Sequence, residues 1–161
     1  MNSGRILVAD VGNVPILKFV GDVRVLMGGT LENYFSTLYR KAILDRMIID
    51  MTETQGIDST ALGLLAKMAI QLRNRFNVSP TIISTNPDIT RILRSMSFNL
   101  ITDIIDKPVD RKTSYDELSR VDESEDRVRQ KVIEAHQTLM NLSEDNRAEF
   151  QDLVSALKAN R

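Results

Sequence analysis

Apolar positions along this chain alternate between strand-like and helix-like spacing, and each change marks an element. Ile6 to Ala9 and Pro15 to Val20 are short apolar runs of strand length. Gly12-Asn13 separates them, and both residues tolerate positive φ, so a tight hairpin is expected with antiparallel strands on either side. After Gly28-Gly29 the spacing becomes helical: Thr30 is placed to cap a helix whose stripe is Leu31, Tyr34, Phe35, Leu38 and Ala42. Met47 to Met51 reads as a buried strand, followed by a polar loop.

A second helix is expected from Ser59 or Thr60 to about Asn77. It turns Ala61, Leu62, Leu65, Met68, Ala69, Leu72 and Phe76 inward and Lys67, Arg73 and Arg75 outward. Thr81 to Ser84 is a short strand. Asn86-Pro87-Asp88 then opens a third helix, with proline where a missing N–H has no intrahelical partner to lose. Ile89, Ile92, Leu93 and Met96 are its apolar face, and Ile101 to Ile105 is a last strand before Lys107-Pro108. The order β-β-α-β-α-β-α-β predicts an α/β fold: a mixed sheet of four to five strands with helices packed on it.

Beyond residue 108 the chain changes in kind. All seven glycines lie at or before Gly63 and all four prolines at or before Pro108, so residues 109 to 161 contain neither. Val128, Val132, Leu139 and Leu142, then Phe150, Leu153, Val154 and Leu157, keep helical spacing, and Ser143 followed by Glu144-Asp145 marks a break and a new N-cap. The expected division is a domain over residues 1 to 121 and a helical C-terminal extension over 122 to 161. Tyr115, Leu118 and Val121 are read as covering the domain. The helices beyond them are read as a lid that buries an apolar face of the core, as a docking surface for another signalling protein, or as a dimerising helical pair.

Charge and composition narrow the function classes. With 21 basic and 22 acidic side chains the net charge is −1, which gives no general attraction to nucleic acid or anionic membrane. The absence of cysteine excludes disulfides, thiolate catalysis and Cys-based zinc sites. No apolar run approaches the roughly 18 residues of a membrane span, and the first ten residues do not read as a signal peptide. A cytoplasmic protein without metal or cofactor is expected.

The chemistry concentrates between Met47 and Leu65, where a buried strand passes through polar residues to Ile57-Asp58-Ser59-Thr60 at a helix start. Such a position meets unpaired N–H groups and the positive end of the helix dipole, so a phosphate on Ser59 would be tolerated there. It would add about −1.5 to −2 charges and repel a docked surface. On local grounds alone, the same Ser and Asp also serve simply as helix-capping residues.

The strand ending Ile48-Ile49-Asp50, the polar stretch, and Ile57-Asp58-Ser59-Thr60 opening a Leu-rich helix together resemble the signature of STAS domains, specifically bacterial anti-sigma factor antagonists. Lys18-Phe19-Val20-Gly21-Asp22-Val23-Arg24 is similar to that family's second strand and Gly-acid turn, and to members linked to motility and biofilm control. The resemblance spans roughly residues 5 to 108. It implies a non-enzymatic switch in which a serine kinase phosphorylates Ser59 and a phosphatase reverses it, the bare form binding an anti-sigma factor and freeing a sigma factor. It also implies partner contact at Asp22, Arg24, Asp58, Ser59, Thr60 and Leu62. Many relatives carry Ser-Ser-Gly where this chain has Ser59-Thr60-Ala61, which makes Thr60 a secondary acceptor.

Two rival readings are weaker. A receiver domain phosphorylated on Asp50 needs acidic residues after its first strand to hold magnesium and a helix between strands one and two; only Asp10 and a three-residue turn are present. A hydrolase would pair Ser59 with His136 and an acid such as Asp58. His136 shares an apolar helix face with Val132 and Leu139, and is expected to be a packed or rim residue rather than a base.

Overall fold

A computed structural model describes residues 4–107 and 113–160. Five strands and three helices come first: β1 (Arg5–Val11), β2 (Val14–Val23), α1 (Gly28–Tyr39), β3 (Ile48–Ile57), α2 (Ser59–Phe76), β4 (Thr81–Ile83), α3 (Pro87–Ser95) and β5 (Asp103–Ile105). β6 (Asp116–Glu117), α4 (Glu125–Met140) and α5 (Glu144–Ala159) follow, and short 3-10 turns occupy Val25–Met27 and Phe98–Leu100.

The sheet is mixed, in the order β5-β4-β3-β2-β1-β6. β2 through β5 run parallel, whereas β1 is antiparallel to both β2 and β6. The hairpin at Gly12-Asn13 forms as expected, with Gly12 at φ 62 and Val11 facing Val14 across the turn. The sheet has six strands rather than four to five, because Glu117 and Asp116 pair with Leu7 and Val8 at the β1 edge. Two acidic residues carry no apolar alternation, so sequence periodicity is blind to that strand.

β3 is also longer than expected. It continues through Thr52–Ile57, the segment read as a polar loop, since β2 runs on to Val23 and supplies partners for Glu53, Thr54, Gly56 and Ile57. Paired backbone satisfies its own N–H and C=O groups regardless of side-chain polarity. Thr54 is 2% exposed, and its hydroxyl donates to the Phe19 carbonyl at 3.0 Å. α1 begins at Gly28 without a side-chain cap; Thr30 lies inside it and accepts from the Val121 N–H at 3.0 Å. Pro108 lies outside the described residues.

Leu17, Phe19, Ile49, Met51 and Ile82 face the main core beneath the helices. Ile16, Ile48 and Ile83 form a smaller cluster with Ala9, Val11, Val14 and Tyr115. These alternate along their strands with the main-core set, as a period of two requires. α4 packs along α2, and α5 packs on α4. Ala135, Leu139 and Phe150 belong to the main core, so the C-terminal helices share the apolar interior of the sheet domain. No helix among the described residues is long and apolar enough to cross a membrane.

Candidate functional site at the start of α2

Asp58, in extended conformation, caps α2: its Oδ1 accepts from the Ala61 N–H at 2.8 Å. Its Oδ2 accepts from the Val25 N–H at 2.6 Å, and its own N–H donates to the Val23 carbonyl at 2.9 Å. One carboxylate therefore ties the end of β2 to the start of α2. Asp58, not Ser59, is the cap, and Ser59 is the first residue of the helix, with its hydroxyl left for another partner.

That partner is His136. Ser59 Oγ lies 2.7 Å from His136 Nε2, across 77 residues of sequence. The second ring nitrogen, Nδ1, lies 2.6 Å from the Val132 carbonyl, which can only accept, so Nδ1 carries the proton of the neutral ring. Nε2 is then the acceptor, and the Ser59 hydroxyl donates to it. His136 is 2% exposed and meets the Phe150 ring edge-on at 4.9 Å between centroids. It is thus a packed residue, as its apolar helix face implied.

Gly63 explains why α4 comes so close. A Cβ there would overlap the Ala135 carbonyl and stand 2.6 Å from Ala135 Cα, so only glycine permits this approach of the two helices. At the other end of the contact, Lys131 is 3% exposed and pairs with Glu32 at 2.7 Å and with Glu123. Burial alone would raise the Glu32 pKa; the hydrogen bond from Lys131, with Lys131, Arg127 and Lys67 charges, outweighs that and holds it below its usual 4.5. Asn146 of α5 donates to the carbonyls of Met96 and Leu139, both at 2.9 Å, and Ser97 Oγ donates to Ser143 Oγ at 2.8 Å.

The other expected site residues separate by exposure. Asp22 and Arg24 form an exposed ion pair at 3.4 Å and line a cleft of about 580 Å³ with Leu26, Met27, Thr30 and Leu118. Asp58 links them to Ser59 through Val25. Thr60 is 6% exposed and Leu62 1%, so neither is displayed at the surface while the helices are packed. Asp50 stands third in the ten-residue β3 and accepts from the Thr52 N–H and hydroxyl at 2.9 and 2.7 Å. A hairpin, not a helix, joins β1 to β2, which disfavours the receiver reading.

Residues 5–111 match the STAS domain family. The chain belongs to that family. No curated protein matches the sequence. Among solved structures, the STAS chain is similar to an uncharacterized protein of the DUF3478 family with a SpoIIAA-like fold from Shewanella loihica PV-4. The two are 18% identical, the match covers 70% of this chain and 93% of that one, and the TM-score is 0.45. The family assignment rests on the sequence match. The α2–α4 contact that periodicity did not reveal is made by Gly63, within the matched residues, and by His136 and Lys131 of α4, beyond them.

Proposed function

We propose that this STAS domain is an anti-sigma factor antagonist whose partner is selected by phosphorylation of Ser59. The observation that carries the reading is the division of labour at the helix start. Both Asp58 oxygens are committed to backbone N–H groups, which leaves Ser59 Oγ as the reactive group at the positive end of α2. A serine kinase would transfer a phosphoryl group from a nucleoside triphosphate to Oγ, with loss of the hydroxyl proton and departure of the nucleoside diphosphate. A phosphatase would return the hydroxyl by hydrolysis. The bare form binds an anti-sigma factor and so releases a sigma factor; the added charge ends that contact.

The exposed pair Asp22–Arg24 supplies the polar part of the proposed contact beside Ser59. The similarity of the segment from Lys18 to Arg24 to members linked to motility and biofilm control supports an output of that kind. A catalytic role for the Ser59–His136 pair is disfavoured because Nδ1 faces a backbone carbonyl and Asp58 is occupied elsewhere, so no acid steadies a developing imidazolium. The test is a pull-down from extract of the source cells with Ser59→Ala and Ser59→Asp side by side. Ser59→Ala should retain an anti-sigma factor that Ser59→Asp loses; identical partner sets refute the proposal.

A further inference from the structure

We infer that α4 and α5 form a lid over the start of α2, latched at Ser59 by His136, so that closure of the lid and phosphorylation of Ser59 exclude each other. This inference rests on the proposed role of Ser59 and adds the regulation of that site.

The exclusion follows from the contact itself. Oγ and Nε2 are at hydrogen-bonding distance, 2.7 Å, and no space remains between them for a phosphoryl group with its three outer oxygens. His136 cannot turn aside within the closed form. Its Nδ1 is bound to Val132, its ring edge rests on Phe150, and it is 2% exposed. Nor does α4 have slack along α2, where its backbone sits against Gly63. The phosphate would also bring its charge to a half-buried position against the buried His136 ring, where part of its hydration is lost. Relief requires α4 to move away from α2.

The contacts that hold the lid reach into the main core and to the polar groups around it. They are the apolar side chains Ala135, Leu139 and Phe150, the Lys131 pairs with Glu32 and Glu123, the bond from Ser97 to Ser143, and the bond from Asn146 to the Met96 carbonyl. Residues 118–124, between β6 and α4, are neither helix nor strand and give the pair a place to hinge. A partner that reaches Ser59 along α2 must displace α4 from the Gly63 face. Lid and partner therefore compete for one surface, and the coupling is reciprocal: phosphate on Ser59 opens the lid, and whatever opens the lid exposes Ser59.

The experiment compares the full chain carrying phosphoserine installed at position 59 with the unmodified chain, by backbone amide hydrogen exchange. His136→Ala is a third sample, which removes the latch without adding charge. In both altered chains α4 and α5 should exchange at least about tenfold faster, the effect of about 1.4 kcal/mol of lost docking, with β2 and β3 unchanged. Equal exchange of α4 and α5 in all three samples overturns the lid. So does an equal loss of protection in β2 and β3, since the helices would then belong to one cooperative unit with the sheet. Unchanged α4–α5 exchange, combined with partner sets that differ between Ser59→Ala and Ser59→Asp, removes the lid and leaves the proposed function. Opening of α4–α5 with identical partner sets does the reverse.

Discussion

Gly63→Ala separates the two roles of α2, because the same methyl group acts with opposite sign on each. Within α2, alanine at an interior helical position is favoured over glycine by about 0.8–1 kcal/mol. Across the interface the new Cβ would overlap the Ala135 carbonyl and stand 2.6 Å from Ala135 Cα, and both are backbone atoms that no rotamer change can move. Ordinary carbon contact lies at about 3.5–4.0 Å, so α4 must retreat by roughly 1 Å, which forfeits a quarter to a half of the dispersion well for the side chains around the contact. Overpacking of this kind typically costs about 1–3 kcal/mol. The sum is a global change between nearly neutral and about 2 kcal/mol destabilising, with a sign that differs by element. Amide exchange resolves the two: protection in α2 should hold or rise while α4 and α5 exchange faster. An increase in thermal stability by the full helix-propensity gain, with α4 protection intact, would refute the close-approach reasoning.

Other substitutions probe the remaining contacts. Asp58→Ala removes the α2 cap and leaves the Val25 N–H without its acceptor, and should lower unfolding stability by about 2 kcal/mol in a denaturant titration. Lys131→Met leaves Glu123 without its main partner; a loss of about 2–3 kcal/mol is expected in the same titration, below the roughly 3–5 of a fully buried pair because Arg127 remains within 4.0 Å of Glu123 and Glu32 is half exposed. Since the folded-state pKa of Glu32 is depressed, its contribution is present above its usual 4.5 and is lost as pH falls through the lower folded value. Exchange from α4 should therefore accelerate, relative to intrinsic rates, below about pH 4.5, and Glu32→Gln should flatten that dependence. Ser59→Ala leaves Nε2 of His136 without a donor and should destabilise by about 1–3 kcal/mol while α4 stays docked, read as a lower denaturation midpoint with α4 still protected.

The parts of this fold that were legible in the sequence are those fixed by neighbouring residues. Gly12-Asn13 forms the hairpin turn, and Asn86 and Ser143 cap α3 and α5 through their own side chains, accepting from Asp88 and Asn146. These are interactions over two or three residues, and residue type alone decides them. The continuation of β3 through Thr52–Ile57 was hidden because its partner strand, not its own pattern, stabilises it. β6 was hidden for the same reason. In the site, Ser59 and Asp58 stood out, but their roles were not separable from sequence: which of two adjacent capping residues caps depends on the backbone angle at the helix start. The pairing of Ser59 with His136 depended on how α4 crosses α2. The signal that locates that crossing is Gly63, a lone glycine within a Leu- and Ala-rich helix that exposes little else to explain it.

The Ser59–His136 bond is a small part of what holds the lid. A hydrogen bond of this kind contributes about 0.5–1.5 kcal/mol net. Burying a side chain such as Leu139 or Phe150 contributes about 1.5–3 kcal/mol each. The apolar contacts therefore close the lid, and the serine hydroxyl reports the closure more than it causes it. Phosphorylation reverses this order, because the added group changes from a weak attraction to an obstruction carrying about −1.5 to −2 charges. Steric overlap and desolvation of that charge act together against the sum of the apolar contacts, and neither needs a long-range pathway. A bond that contributes little when made can thus govern the position of two helices, provided its replacement does not fit.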